Sequence, residues 1–159
     1  DENGYDIYAR IFDSTGTLTS QEIRVNSAAS GMQVFPSLSC VEEGQFLISW
    51  LDRPGRESTQ ITGRTFDRYG NPLSDAFLVS SAQKNIRDYP NAELISLNDM
   101  VFAWQEYDAQ NGGWDLMQKI MSQRSVNFPD RAKPLQGKKH ATKNPIRDLA
   151  DCSSHFPGR

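Results

Sequence analysis

Two acidic loops carry the side chains best suited to bind a ligand. Residues 1–6 read DENGYD and residues 108–115 read DAQNGGWD, so each loop combines carboxylate, amide and glycine. Calcium loops share this composition, because a hard cation needs several oxygen ligands on a backbone that turns sharply. Neither loop has an established calcium-loop spacing, and an ordinary solvated hairpin loop is the alternative. The candidate calcium ligands are Asp1, Asn3, Asp6, Asp108, Asn111 and Asp115.

Each loop also holds an aromatic residue, Tyr5 in the first and Trp114 in the second. An aromatic face beside carboxylate and amide groups is how many proteins hold a sugar. Tyr5 and Trp114, with the neighbouring Asp6 and Asp115, are therefore candidate ligand-binding residues. The alternative is that both rings pack between neighbouring strands.

The histidines do not indicate an active site. Only His140 and His155 occur, and both lie in a C-terminal segment without a recognisable framework, whereas a hydrolytic triad needs a histidine held beside its nucleophile. A zinc site from these residues and Cys152 lacks a fourth ligand and a tetrahedral spacing. Gly112-Gly113 precedes a predicted strand, so it is not a phosphate-binding loop. We expect no enzyme activity and no cofactor other than calcium.

The loops recur because the sequence itself is repeated. Residues 35–50, FPSLSCVEEGQFLISW, return as YPNAELISLNDMVFAW at residues 89–104, a displacement of 54 positions. A third unit begins with NGGWDLMQKIM at residues 111–121, which matches NGYDIYARIF at residues 3–12. A fixed period of about 50 residues is typical of propellers, solenoids and arrays.

Each unit predicts four short strands. The first alternates β-branched or aromatic residues with polar or small ones, as YDIYARIF does at residues 5–12. Asp-x-x-Gly then predicts a tight turn, at Asp13–Gly16 and Asp67–Gly70. A second strand follows at residues 22–26 and 76–80, and Pro36 or Pro90 opens the third strand, where a missing N–H is tolerated.

The fourth strand, QFLISW or MVFAW, is nearly all apolar, which predicts that both of its faces are covered. The apolar pattern of the fourth strand also predicts that Trp50 and Trp104 are buried at equivalent places in successive sheets. Cys40 aligns with Leu94 and is expected to be a small buried side chain. Four antiparallel strands in each unit of this length match a propeller blade.

We therefore predict an all-β fold of antiparallel four-stranded repeat units, β-propeller-like, with two blades, the first strand of a third and an irregular C-terminal tail. The β-repeat domain covers residues 1–121. Its units are 1–53, 54–108 and the partial unit 109–121, and the tail is 122–159. So few units should leave an apolar flank on the first and last sheets, because stacked repeats need about three or more neighbours.

The tail differs in charge from the repeats. Residues 1–121 hold nine Lys/Arg and 17 Asp/Glu, whereas residues 122–159 hold eight against three. Its composition indicates disorder or an extension held by a partner, and a misassigned reading frame is the alternative. No specific nucleic-acid binding is expected, since the basic residues lack interleaved aromatic residues. No apolar run approaches the roughly 18 residues of a membrane span.

The units resemble the repeats of about 55 residues in large bacterial extracellular adhesin-like and repeats-in-toxin proteins, with the pattern IYAQRFDxxG…VN…QxxPxVAxLxDGGFVVxW. The second unit departs from that pattern at Gly63, Ser80, Arg87 and Asn98. The matching residues are Gly4, Ile7, Tyr8, Ala9, Arg10, Phe12, Asp13, Gly16, Glu22, Ile23, Val25, Asn26, Gln33, Pro36, Gly44, Phe46 and Trp50. The resemblance covers residues 1–121 and implies a propeller-like β domain of an extracellular protein, with no catalytic role.

Two functions follow as expectations. The first is a non-enzymatic structural or adhesive repeat segment of an extracellular or cell-surface protein. Its partners would be further repeat units in cis or self-association in trans. The second is a lectin-like, carbohydrate-binding propeller module that uses the loop aromatics to bind glycans.

Overall fold

The computed structural model describes residues 4–27, 31–53, 59–81 and 85–122, together with the backbone of a short strand at Lys133–Pro134. No helix in these parts of the chain is long and apolar enough to cross a bilayer. The strands are Tyr8–Ala9 (β1), Ile23–Arg24 (β2), Met32–Cys40 (β3), Phe46–Arg53 (β4), Gln60–Phe66 (β5), Phe77–Leu78 (β6), Arg87–Leu94 (β7), Asp99–Asp108 (β8), Gly113–Ser122 (β9) and Lys133–Pro134 (β10).

The strands form three antiparallel sheets in chain order. The first sheet contains β1 and β2, the second contains β3, β4, β5 and β6, and the third contains β7, β8, β9 and β10. Every paired strand is antiparallel to its neighbour. The predicted all-β, antiparallel class is confirmed, and the propeller-like arrangement stays a prediction.

The boundaries of the sheets do not coincide with the boundaries of the sequence units. β4 pairs with β5 from Phe46↔Phe66 to Asp52↔Gln60, across the boundary drawn between residues 53 and 54. Likewise β8 pairs with β9 across the boundary at residues 108 and 109. The second sheet therefore combines the last two strands of unit one with the first two of unit two. The third sheet combines the last two strands of unit two with β9 of the partial third unit and with β10, and β1 and β2 form a sheet of their own.

The third strand of each unit starts earlier than its proline. β3 begins at Met32 and β7 at Arg87, and each has a register shift that spans the proline. The residues before the prolines, Phe35 and Tyr89, have φ angles of 54° and 51°. A proline cannot donate to the ladder, so the pairing is interrupted there by a bulge and resumes afterwards.

Both predicted Asp-x-x-Gly turns are confirmed. The N–H of Gly16 donates to the carbonyl of Asp13, and that of Gly70 to the carbonyl of Asp67, each at 3.0 Å. Both glycines have positive φ, +83° and +87°, which a residue with a Cβ adopts only under strain. A side-chain hydrogen bond, from Thr15 to Asp13 and from Asn71 to Asp67, lowers the pKa of each aspartate most, and backbone N–H groups of the turn lower it further.

Two apolar clusters hold the sheets together. Trp50 lies between the first and second sheets with Ile7, Val25 and Phe66. Trp104 lies between the second and third sheets in a cluster that includes Leu47, Leu51 and Ile61. The two tryptophans are 2% and 1% exposed, so their predicted burial at equivalent places is confirmed.

The two apolar fourth strands differ in burial. Every residue of β4 from Phe46 to Leu51 is buried, as its sequence predicts, because β4 has sheets on both faces. β8 alternates between buried and partly exposed residues, because only one of its faces meets another sheet. The predicted apolar flanks are present, with Tyr8 and Phe12 exposed on the first sheet and Leu116 and Ile120 on the third.

One further sequence prediction is corrected. Cys40 is exposed rather than buried, since within the described ranges the first sheet has no strand over it. In the C-terminal segment the described backbone includes β10, whose Lys133 and Pro134 pair with Gln118 and Met117 of β9. The rest of the tail, from residue 123 on, lies outside the described residues.

Candidate functional site

The carboxylate of Asp6 connects the first acidic loop to the rest of the first sheet. Oδ1 of Asp6 accepts a 2.8 Å hydrogen bond from Nδ2 of Asn26 and a 3.1 Å bond from Nη2 of Arg24. The Asn26 amide above all, with help from Arg24, holds the pKa of Asp6 below its ordinary value, although burial opposes the shift. Tyr5 is 65% exposed, and its carbonyl accepts the N–H of Gln33 at 2.8 Å.

The second acidic loop is closed by its own residues. Asp108 accepts the N–H of Gln110 at 2.8 Å and the side-chain amide of Asn111. The Asn111 side chain has the largest effect in lowering the pKa of Asp108, and the backbone N–H groups of Gln110 and Asn111 lower it further. Trp114 is 50% exposed and meets Tyr107 edge to face, with 5.5 Å between ring centroids. Asp115 is exposed on β9, opposite Glu106.

The structure does not bring the two loops together. Tyr5 and Asp6 precede β1 in the first sheet, whereas Trp114 and Asp115 belong to β9 in the third. In the described ranges, no group of three or more His, Cys, Asp or Glu side chains could hold a metal ion. Asp1 and Asn3 lie outside those ranges, and the calcium site stays a prediction from composition.

A buried polar chain that the sequence reading missed runs from the first loop into the second sheet. Nδ2 of Asn26 bonds to Asp6 and, at 3.2 Å, to Oε1 of Gln33. Nε2 of Gln33 then donates to Oδ1 of Asp52 at 3.0 Å, and Oδ1 of Asn26 accepts the N–H of Ile7 at 2.9 Å. Asp6 is thereby a structural residue of this network.

In the second unit a buried ion pair takes the place of the amide–carboxylate contact between Gln33 and Asp52. Arg87, which stands 54 positions after Gln33, donates Nε to Oε2 of Glu106 at 2.8 Å, and its side chain is fully buried. Its other nitrogens donate to the carbonyl of Thr59 and the hydroxyl of Ser81, each at 2.7 Å. The guanidinium is therefore committed to holding three segments of the second and third sheets together.

The electrostatics of Glu106 follow from these contacts. Burial alone would raise its pKa, but hydrogen bonds from Asn85, Trp104 and Arg87, with the charge of Arg87, outweigh it and leave the pKa below the ordinary value of 4.5. Nε1 of Trp104 reaches the same carboxylate at 3.1 Å. In the first unit the shorter Asp52 takes that place, and Nε1 of Trp50 is buried without a partner among the described residues.

In the second and the third sheet, a cation reaches the residue that directly follows the outer strand of the sheet before it. Nη1 of Arg64 donates to the carbonyl of Val25 at 3.0 Å, and Nζ of Lys119 donates to the carbonyl of Val79 at 2.9 Å. Val25 and Val79 are 54 positions apart, and both cations lie on the third strand of their sheets. We call these two contacts the inter-sheet joints.

Two aromatic residues with a strained backbone were also not predicted from the sequence. Phe35 and Tyr89 sit at the bulges with positive φ, where bulky residues are rare, and both are exposed. Their ring centroids lie 6.4 Å apart, so the pair bridges the two neighbouring sheets. An aromatic residue followed by proline, in both units, was the available signal.

The buried polar groups described above connect separate strands, and the two predicted aromatic site residues, Tyr5 and Trp114, are both exposed. The resemblance to extracellular repeats depends on the sequence motifs themselves. No family model, curated protein or solved structure matches the chain.

Proposed function

We propose that this chain is a non-enzymatic structural or adhesive repeat segment of an extracellular or cell-surface protein, in which similar sheets stack one after another in a propeller-like arrangement. The observation that carries the proposal is the recurrence of the inter-sheet joint. Arg64 and Lys119 reach equivalent carbonyls at nearly the same distance. A joint that recurs at the repeat spacing can be extended by further units.

Hydrogen bonds between the first strands of neighbouring sheets, β3 and β7, support the propeller-like arrangement in this proposal. The hydroxyl of Ser37 lies 3.1 Å from Oδ1 of Asn91, and the hydroxyl of Ser39 accepts the N–H of Leu94 at 2.9 Å. The corresponding edges of β3 and β7 thus touch directly, as the inner strands of neighbouring propeller blades do.

The use of buried ionisable groups supports a structural role. Arg87, Glu106 and Lys119 each bind backbone or side-chain groups across two elements. These contacts connect separate elements of the fold. The extracellular location is inferred from the resemblance of the repeats.

The proposal is tested by inserting a second copy of residues 13–121 after Met121 of the full chain, in repeat register. Repeat proteins gain stability from each added interface, so we expect the insertion to raise Tm while unfolding stays cooperative. The control carries the same insertion behind a flexible Gly/Ser linker, which should leave Tm near that of the original chain. Two separate transitions, or an unchanged Tm in the in-register chain, would contradict the proposal.

Glycan binding is a second candidate, favoured by the exposure of the loop aromatics. Tyr5 and Trp114 are 65% and 50% exposed, so they are not packed between strands. Because they lie on different sheets, each would form a separate site. Glycan-array binding that is lost on Trp114→Ala or Tyr5→Ala would support this function, and binding unaffected by both changes would count against it.

A further inference from the structure

Among the described residues, the first sheet contains no counterpart of the two strands that lead the other sheets. β1 and β2 correspond to β5 and β6, because Arg10 and Arg64 are equivalent at the 54-residue spacing. β5 pairs with β4 on one edge and β6 on the other. β1 pairs with β2 alone, so within the described ranges its other edge carries no strand.

The part of β3 that those strands would cover is exposed. On β7, Ala92 and Leu94 are only 4% and 3% exposed because they pack against the second sheet. Their counterparts in β3 are Leu38, which is 62% exposed, and Cys40, which is also exposed. We call Leu38, Cys40 and the open edge of β1 the hairpin slot.

The occupied interface between the second and third sheets shows what fits such a slot. There the hydroxyls of Ser39 and Ser37 accept the N–H groups of Leu94 and Ala92 at 2.9 and 3.4 Å. Leu47 and Leu51 of β4 complete that face and are fully buried. The surface that covers β7 is therefore a hairpin with Ser-x-Ser on one strand and two leucines four positions apart on the other.

We propose that the hairpin slot binds a β-hairpin with the sequence pattern of β3–β4, which pairs with the open edge of β1 and covers Leu38 and Cys40. The inference rests on the proposed repeat function and names the partner that the first sheet takes. The serines of the occupant accept the N–H groups of Leu38 and Cys40, and its leucines pack on the Leu38 side chain. Addition of strands to a sheet edge is an established mode of recognition, in which backbone bonds give affinity and side-chain pockets give specificity.

The register of the occupant follows from the second sheet. Trp50 of β4 lies opposite Thr62 of β5. Tyr8 is the counterpart of Thr62, so the tryptophan of the bound hairpin lies opposite Tyr8. Tyr8 is 52% exposed, so its side chain is open to contact with the tryptophan of an added strand.

The thiol of Cys40 provides a direct test on the full chain. In a Cys152→Ser background Cys40 is the sole thiol, and its rate of labelling by a maleimide reports its exposure. The probe is a synthetic peptide with the sequence of residues 31–53 and the change Cys40→Ala. Bound peptide covers Cys40, so we expect labelling to slow by about tenfold at a peptide concentration about ten times the Kd.

Two matched variants locate the binding. Leu38→Asp removes a buried leucine contact and should raise the Kd by about tenfold or more. Ile120→Asp makes the same kind of change on the opposite flank, where Ile120 is 67% exposed, and should leave the Kd unchanged. Both positions are exposed, so both variants should fold, which circular dichroism checks. A peptide with Ser37→Val and Ser39→Val should bind more weakly than the parent peptide.

Several results would overturn the inference. These are a labelling rate that the peptide does not change, equal effects of Leu38→Asp and Ile120→Asp, and equal binding of the serine-free peptide. Slow labelling without peptide that becomes fast when residues 123–159 are removed would show that the chain's own C-terminal segment fills the slot. If the peptide fails to bind while the inserted unit raises Tm, only the slot is wrong, whereas failure of both would reject the repeat function as well.

Discussion

Gln33 and Arg87 occupy the same position in successive units, yet each binds its neighbouring carboxylate in a different way. The neutral amide of Gln33 donates a hydrogen bond to Asp52, whereas Arg87 makes an ion pair with Glu106. A buried ion pair adds little net stability compared with apolar packing, but loss of one partner leaves a costly unpaired charge. The second unit should therefore be much more sensitive to loss of its carboxylate.

Replacement of Glu106 by Gln tests this sensitivity. Arg87 has no exposed side-chain surface, so at neutral pH Glu106→Gln should lower the free energy of unfolding by about 3 kcal/mol or more. Asp52→Asn is the matched control, and its cost should be about 1 kcal/mol because Gln33 is uncharged. Urea denaturation at neutral pH measures both. Equal costs would contradict the assignment.

The pH dependence of the same variant has a definite sign. The pKa of Glu106 is lower in the folded chain than its ordinary value of 4.5, so the unfolded chain binds more protons in acid. The stabilisation by Glu106 is thus complete above about pH 4.5 and declines as pH falls through the folded pKa. The stability difference between the original chain and Glu106→Gln should therefore shrink in acid, and a difference that grows would exclude this linkage.

The two Asp-x-x-Gly turns have the same hydrogen-bonded structure but are packed differently in the two units. A Cβ at Gly70 would lie 2.2 Å from Cδ1 of Ile23, so this turn is closely packed against the first sheet. A Cβ at Gly16 would meet nothing within 4 Å. The same turn is therefore packed in the second unit and open in the first, which again indicates that a sheet is absent before β1 in the described structure.

Alanine substitutions at the two glycines separate backbone strain from packing. Both glycines have positive φ, so each change should cost about 1–2 kcal/mol from strain alone. Gly70→Ala should cost about 1–3 kcal/mol more, because Ile23 must move in a packed interface. Thermal unfolding of the two variants gives the comparison. A larger loss for Gly16→Ala would mean that the open turn is covered by something else.

The elements were predictable where the signal is local. Alternation, the Asp-x-x-Gly turns and the apolar strands around Trp50 and Trp104 depend on neighbouring residues, and the structure confirms them. The partner of β4 could not be predicted, because a repeat has no intrinsic start and a pairing across residue 53 looks the same as one within a unit. The candidate site was harder still, since the network of Gln33 and Arg87 exists only when two sheets pack.

On the scale of the whole molecule, the two flanks of the described structure are unlike its interior. Thr62 and Phe66 are buried in the second sheet, whereas their counterparts Tyr8 and Phe12 are half exposed on the first. Ile120 is 67% exposed on the third sheet. The flanks therefore expose apolar groups at positions that the interior uses for packing, which favours association with further sheets.

The C-terminal segment should contribute little to this stacking, and a chain that ends at Ser122 tests that expectation. Beyond Ser122 the described structure contains only β10, whose two residues pair with β9 and whose Pro134 has no N–H to donate. Loss of such a short pairing should cost about 1 kcal/mol, which corresponds to a fall in Tm of about 2–4 °C for a chain of this size. The full chain, which keeps the β10 pairing, is the reference, and calorimetry of both chains measures the shift in Tm. A non-cooperative transition in the shortened chain alone would place part of residues 123–159 in the folding core.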